Sequence, residues 1–78
     1  MKVRTVPRID PLWLQREMGK RIKSERSRLK MTCQHVADGI GVTRACVSNY
    51  ELGNSSISLA VLYNLALFFK VPVSRLLP

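Results

Sequence analysis

Residues 32–53 read Thr32-Cys33-Gln34-His35-Val36-Ala37-Asp38-Gly39-Ile40-Gly41-Val42-Thr43-Arg44-Ala45-Cys46-Val47-Ser48-Asn49-Tyr50-Glu51-Leu52-Gly53. Two helices start and stop in this stretch. Thr32 is a good N-cap, and Val36, Ala37 and Ile40 follow at the spacing of one buried helical face. Gly39-Ile40-Gly41 closes this first helix, glycine tolerating the sharp exit. Thr43 is a second N-cap, with Val42 before it and Val47 beyond it placed to staple across the cap. Val47 and Tyr50, three apart, share the inward side, and Gly53 stops the helix. A helix, a glycine-containing turn and a second short helix form a unit whose second member can enter a major groove.

The outward surface of that second helix narrows the chemistry. With Val47 and Tyr50 inward, Ala45, Ser48, Asn49 and Leu52 face out, and Arg44 stands beside them at the amino end. An ordinary surface helix carries Glu and Lys there, whereas this one has neither before Glu51. Small side chains allow close approach to base edges. Asn49 can pair bidentately with adenine and Arg44 with guanine.

Outward from this unit the remaining segments are also helical. Asp10 caps a long amphipathic helix, Pro11 suits its first position, and Ile9 can staple onto Leu14. Leu14, Met18, Ile22 and Leu29 form its apolar stripe, interleaved with Arg16, Lys20, Arg21, Lys23, Arg26 and Arg28. Gly19 costs about 1 kcal/mol inside a helix, enough to allow a break there. Asn54-Ser55-Ser56 reads as a turn. Ser58 then caps a helix whose core face is Leu59, Leu62, Leu65, Ala66 and Phe69, stapled by Ile57 and Leu62. Pro72 opens a last turn ending in Leu76 and Leu77. No segment alternates with period two, so the fold class is all-α, with about five helices.

The 78 residues suffice for one domain, and their 46% apolar content favours a folded globule. Residues 1–9 lack periodicity and read as a flexible basic arm, with the domain over 10–78. The formal net charge of +8 is concentrated in residues 1–30, where ten Lys or Arg face Asp10, Glu17 and Glu25. Such a balance favours a polyanion, whether nucleic acid, an acidic membrane surface or an acidic protein. No apolar run approaches a membrane span and no apolar signal segment follows the start, so the expected location is the cytoplasm, at the nucleoid. Cys33 and Cys46 are expected to be reduced packing residues. With His35 they supply three metal ligands at most, so neither metal nor cofactor is expected. One histidine, two dispersed cysteines and five acids form no nucleophile–base pair, and an enzyme is not expected.

From Met18 to Leu77 the sequence resembles the lambda-repressor/Cro (XRE) helix-turn-helix family. The residues that carry the resemblance are Gly19-Lys20-Arg21-Ile22-Lys23, Met31-Thr32, Val36-Ala37 and Ile40-Gly41-Val42-Thr43-Arg44. Val47-Ser48, Tyr50-Glu51-Leu52-Gly53, Leu59, Leu62, Leu65-Ala66, Val71 and Leu76-Leu77 complete them. The resemblance implies a compact five-helix domain binding a palindromic operator in double-stranded DNA as a homodimer, as a transcriptional repressor of phage or bacterial type. It implies base reading by Arg44, Ala45, Ser48 and Asn49, and backbone contacts by Thr32, Cys33, Gln34, Thr43, Gly53, Asn54, Ser55 and Ser56. It also pairs Arg26 with Glu51 structurally. Two departures stand out: Cys33 occupies a position where the family commonly has Gln, and Gly39 replaces a longer side chain, a change that can shorten the second helix without breaking the fold. Surplus apolar residues, Val61, Leu67, Phe68, Leu76 and Leu77, are the expected dimer interface.

Two rivals remain. An antitoxin-like or adaptor protein would use its charge on an acidic partner, and only the arm is free to serve it. A membrane-surface helix would need Trp, Phe and Leu opposite the charge, and only Leu12 and Trp13 are spare. RNA binding would need stacking aromatics on the reading face, which has none.

Overall fold

The computed structural model describes residues 7–78, which form four α-helices and one 3-10 turn. They are α1 (Pro11–Arg28), α2 (Cys33–Ile40), α3 (Arg44–Leu52), α4 (Leu59–Phe69) and the terminal 3-10 turn (Val73–Leu76). No strand occurs among the described residues. The all-helical class is therefore as expected, but the fifth helix reduces to a single 3-10 turn. Most of the expected basic arm, residues 1–6, lies outside the described residues; residues 7–9 are exposed and irregular.

Each α-helix begins on a side-chain cap that satisfies an otherwise unpaired backbone N–H. Asp10 accepts from the Leu12 N–H at 3.0 Å. Thr32, Thr43 and Ser58 each accept from the N–H three residues on, at 3.1 Å. At α2 the cap is reciprocal, because the Thr32 N–H donates to His35 Nδ1 at 3.3 Å. Gly41 ends α2 and Gly53 ends α3 in the left-handed conformation.

Ile22 of α1, Val36 and Ala37 of α2, Val47 of α3, Leu65 of α4 and Leu76 of the terminal turn are fully buried together. α1 packs on α3, the terminal turn and α4, while α2 packs on α3 and α4. One core thus joins all five elements, and the two helices of the central unit are held as a pair.

Four expectations change. α1 runs unbroken through Gly19, because a Cβ there would lie 2.7 Å from the Glu51 carbonyl oxygen and closer still to that of Tyr50. The glycine lets α1 touch the last turn of α3. Likewise α2 is not shortened at Gly39; the missing side chain makes room for the Phe68 ring. Leu59 is 69% exposed rather than in the core, since it opens α4 at the edge of the Leu62–Leu65–Ala66–Phe69 stripe. Leu76 is fully buried and cannot form an interface.

Candidate nucleic-acid interface

The short turn between α2 and α3 joins the carboxyl end of α2 to the amino end of α3. Arg44, Ala45, Ser48 and Asn49, one face of α3, are all exposed. Together with Cys33, the first residue of α2, they line a concavity of about 340 Å³. The four residues expected to read bases therefore converge, and Cys33, expected at the backbone, joins them. Thr32 and Thr43 are exposed at their cap positions, and so is Gln34, whose side-chain amide is tied to Asp38 at 2.8 Å.

The loop after α3 departs from expectation at Gly53. This residue is buried against Arg16, and its N–H donates to the Tyr50 carbonyl at 3.2 Å, so it has nothing to offer a phosphate. The Asn54 N–H is likewise used, by the Asn49 carbonyl at 3.0 Å. The donors left in this loop are the Asn54 side chain and the Ser55 and Ser56 groups. Gln15 of α1 donates to Ser56 Oγ at 3.2 Å and braces the loop from behind. Sequence reasoning missed Gln15 and Arg16 as supports, because the contact spans the chain from α1 to the far end of α3.

The face is anchored by Arg26 and Glu51. Arg26 Nε and Nη2 donate to the two Glu51 carboxylate oxygens at 2.6 and 3.1 Å, and Nη1 donates to the Met31 carbonyl at 2.9 Å. One guanidinium thereby fixes the end of α1, the loop into α2 and the last turn of α3. The hydrogen bonds to Glu51 raise the Arg26 pKa further above its ordinary value.

Other acids are also tied to cations. Glu25 accepts from Arg75 Nε at 2.8 Å and from Arg28 Nη2 at 2.6 Å, and these bonds lower its pKa. Glu17 is lowered by its bonds to Lys20 and Arg21. Among the described residues Arg8, Arg16, Lys23, Lys30, Arg44 and Lys70 have no carboxylate partner. The excess charge is thus available to an external anion. No group of three or more His, Cys, Asp or Glu among the described residues could hold a metal. No described helix is long and apolar enough to cross a membrane.

The HTH_3 helix-turn-helix family matches residues 22–76, most of the chain. The chain belongs to this helix-turn-helix family. As a helix-turn-helix domain of the XRE kind it is a DNA-binding module of transcription regulation. Its fold is similar to that of the restriction-modification controller protein C.AhdI from Aeromonas hydrophila, at a TM-score of 0.77 and 22% identity, covering 80% of this chain and 94% of that one. It is also similar to the DNA-binding domain of BldD, at a TM-score of 0.77 and 25% identity, covering 85% of this chain and 96% of that one. A third likeness, TM-score 0.78 at 23% identity, is to hydroxypropylphosphonic acid epoxidase from S. wedmorenis. There the helix-turn-helix domain matches only 35% of the other chain, and the likeness is one of fold. No curated protein sequence matches this chain.

Proposed function

We propose that this helix-turn-helix domain binds a palindromic operator in double-stranded DNA as a homodimer and represses transcription, in the cytoplasm of a bacterial cell. The observation that carries this reading is the convergence of Arg44, Ala45, Ser48 and Asn49 on one exposed face of α3. Arg44 and Asn49 are the base-pairing members, toward guanine and adenine, and Ala45 and Ser48 permit close approach. Thr32, Gln34, Thr43, Asn54, Ser55 and Ser56 border this face and suit phosphate contacts. A controller protein and a DNA-binding domain among the fold's neighbours support the same reading.

The dimer surface differs from the one expected. At 100° per residue Val61 and Phe68 lie on one flank of α4, and Leu59, Tyr63 and Leu67 lie on the other. Val61 and Phe68 pack against the core. Leu59, Tyr63 and Leu67 are exposed and spaced four apart, with Leu77 also exposed. We assign the self-association face to these four. Every described helix but α4 carries at least one Asp, Glu, Lys or Arg. Two strongly basic copies that meet through α4 therefore set no charged side chain of that helix against its counterpart.

Selection of bound duplexes from a random pool tests the function. A recovered two-fold symmetric site, with Arg44→Ala and Asn49→Ala each costing about 1–3 kcal/mol at one base position per half-site, is the expected result. Uniform loss on every sequence would assign both residues to the backbone and refute their reading role.

A further inference from the structure

Cys33 opens α2 yet lines the same hollow as the base-reading residues of α3. The short side chains of Cys33, Ala45 and Ser48 keep that hollow open; a long side chain at any of them would occupy it. The Cys33 thiol donates toward Glu51 Oε1 at an Sγ–O separation of 3.9 Å. Glu51 is in turn held by Arg26, so the sulfur has a fixed place. A thiol has one weak donor, and here it is directed at the carboxylate rather than outward to a phosphate. What Cys33 presents to the hollow is its methylene and a soft, polarizable sulfur surface. Ala45 adds a methyl group beside it. An apolar wall, which the short Ser48 side chain leaves open, therefore stands within a polar rim made by Arg44 and Asn49.

Base edges in the major groove present hydrogen-bonding groups at every pair, and their apolar projection is the C5-methyl of thymine. A cytosine methylated at C5 carries the same group. We propose that Cys33, Ala45 and Ser48 form a pocket for a pyrimidine 5-methyl group, which makes Cys33 a specificity-determining residue rather than a backbone contact. This rests on the DNA-reading function proposed above. The rim residues then bond the neighbouring base edges while the wall excludes water from the methyl.

The test uses the operator recovered by selection, in synthetic duplexes with each thymine replaced in turn by deoxyuridine, which deletes only the methyl. A parallel series replaces each cytosine by 5-methylcytosine. One thymine per half-site should show weaker binding by about fourfold on replacement, the worth of one buried carbon. That result assigns the pocket to thymine. A cytosine whose methylation strengthens binding by a similar factor assigns it to a modified base. In Cys33→Gln the long side chain fills the hollow, so the methyl dependence should vanish. If that variant melts below the assay temperature, Ala45→Gln fills the same hollow from α3. Operator binding with no methyl-sensitive position, or sensitivity that survives in the folded filled variant, overturns the pocket and leaves DNA reading intact. Failure to bind any duplex overturns both.

Discussion

Replacing Gly19 by alanine sets two effects of opposite sign against each other. Alanine is favoured over glycine by about 1 kcal/mol inside a helix, so local propensity alone predicts a stabilised α1. Packing predicts the reverse. The new Cβ would stand 2.7 Å from the Glu51 carbonyl oxygen, 3.0 Å from its carbonyl carbon, and closer still to the Tyr50 oxygen. Carbon–oxygen contacts of this kind ordinarily settle at roughly 3.3–3.6 Å. All the obstructing atoms are backbone, so no rotamer change relieves them, and α1 must move away from α3. Overpacking of this sort costs about 1–3 kcal/mol. The upper end applies, because the displaced turn also carries Glu51, whose side chain is 7% exposed and clamped by Arg26. The net expectation is destabilisation by about 2 kcal/mol. In a domain of this size that lowers Tm by roughly 8–16 °C. Thermal melts followed by far-UV circular dichroism should show the drop, with exposed Ser24→Ala on the same helix as a control that barely moves. A Gly19→Ala variant that melts at or above the wild-type temperature would refute the close approach of α1 to α3.

Three further outcomes are expected. Arg26→Met leaves the Glu51 carboxylate buried without its partner and should cost about 3–5 kcal/mol, much of which Glu51→Leu should recover in the double variant, as denaturant melts of all four proteins will show. The Glu25 pKa is lowered from its ordinary value of 4.5 by Arg75 and then Arg28, so its contribution to stability is present above about that pH and is lost as pH falls through the depressed value; in Glu25→Gln, Tm should fall less steeply than in the wild type across that acid range. Leu67→Glu, at a side chain 74% exposed, should leave the fold intact and give a monomer by analytical ultracentrifugation with weaker operator binding; a wild type that is monomeric at tens of micromolar, with single copies on DNA, would refute the α4 dimer.

What could be read from the sequence, and what could not, divides by the distance over which a residue acts. Asp10, Thr32, Thr43 and Ser58 cap backbone groups two or three positions away, so their neighbours already contain the information. The outward face of α3 follows in the same way from the inward pair Val47 and Tyr50, because the helical repeat fixes both sides at once. The position of Cys33 beside Asn49 could not be read so, since it depends on how α2 and α3 are turned against each other. Leu59 and Leu76 look equally apolar, and only the packing of α4 and the terminal turn exposes one and buries the other.

The glycines make the point most sharply. Gly41 has open space around it and is required by its left-handed φ of 76°, a local need that its sequence neighbourhood discloses. Gly19 and Gly39 instead receive Tyr50 and Glu51, and Phe68, from distant parts of the chain, while Gly53 combines a left-handed φ of 74° with a close approach by Arg16. From local propensity Gly19 looks like a break and Gly39 like an early stop, yet each is a crossing point between helices. Gly19 and Gly53 bear on the same end of α3, one admitting its carbonyls to α1 and the other admitting α1 to its terminus. The amino end of α3 is thereby left to the reading face, while its carboxyl end is locked by two glycine contacts and the Arg26–Glu51 pair. A helix fixed at one end and exposed at the other can offer Arg44, Ala45, Ser48 and Asn49 in a constant arrangement. That fixed placement is what base discrimination by a few short side chains requires.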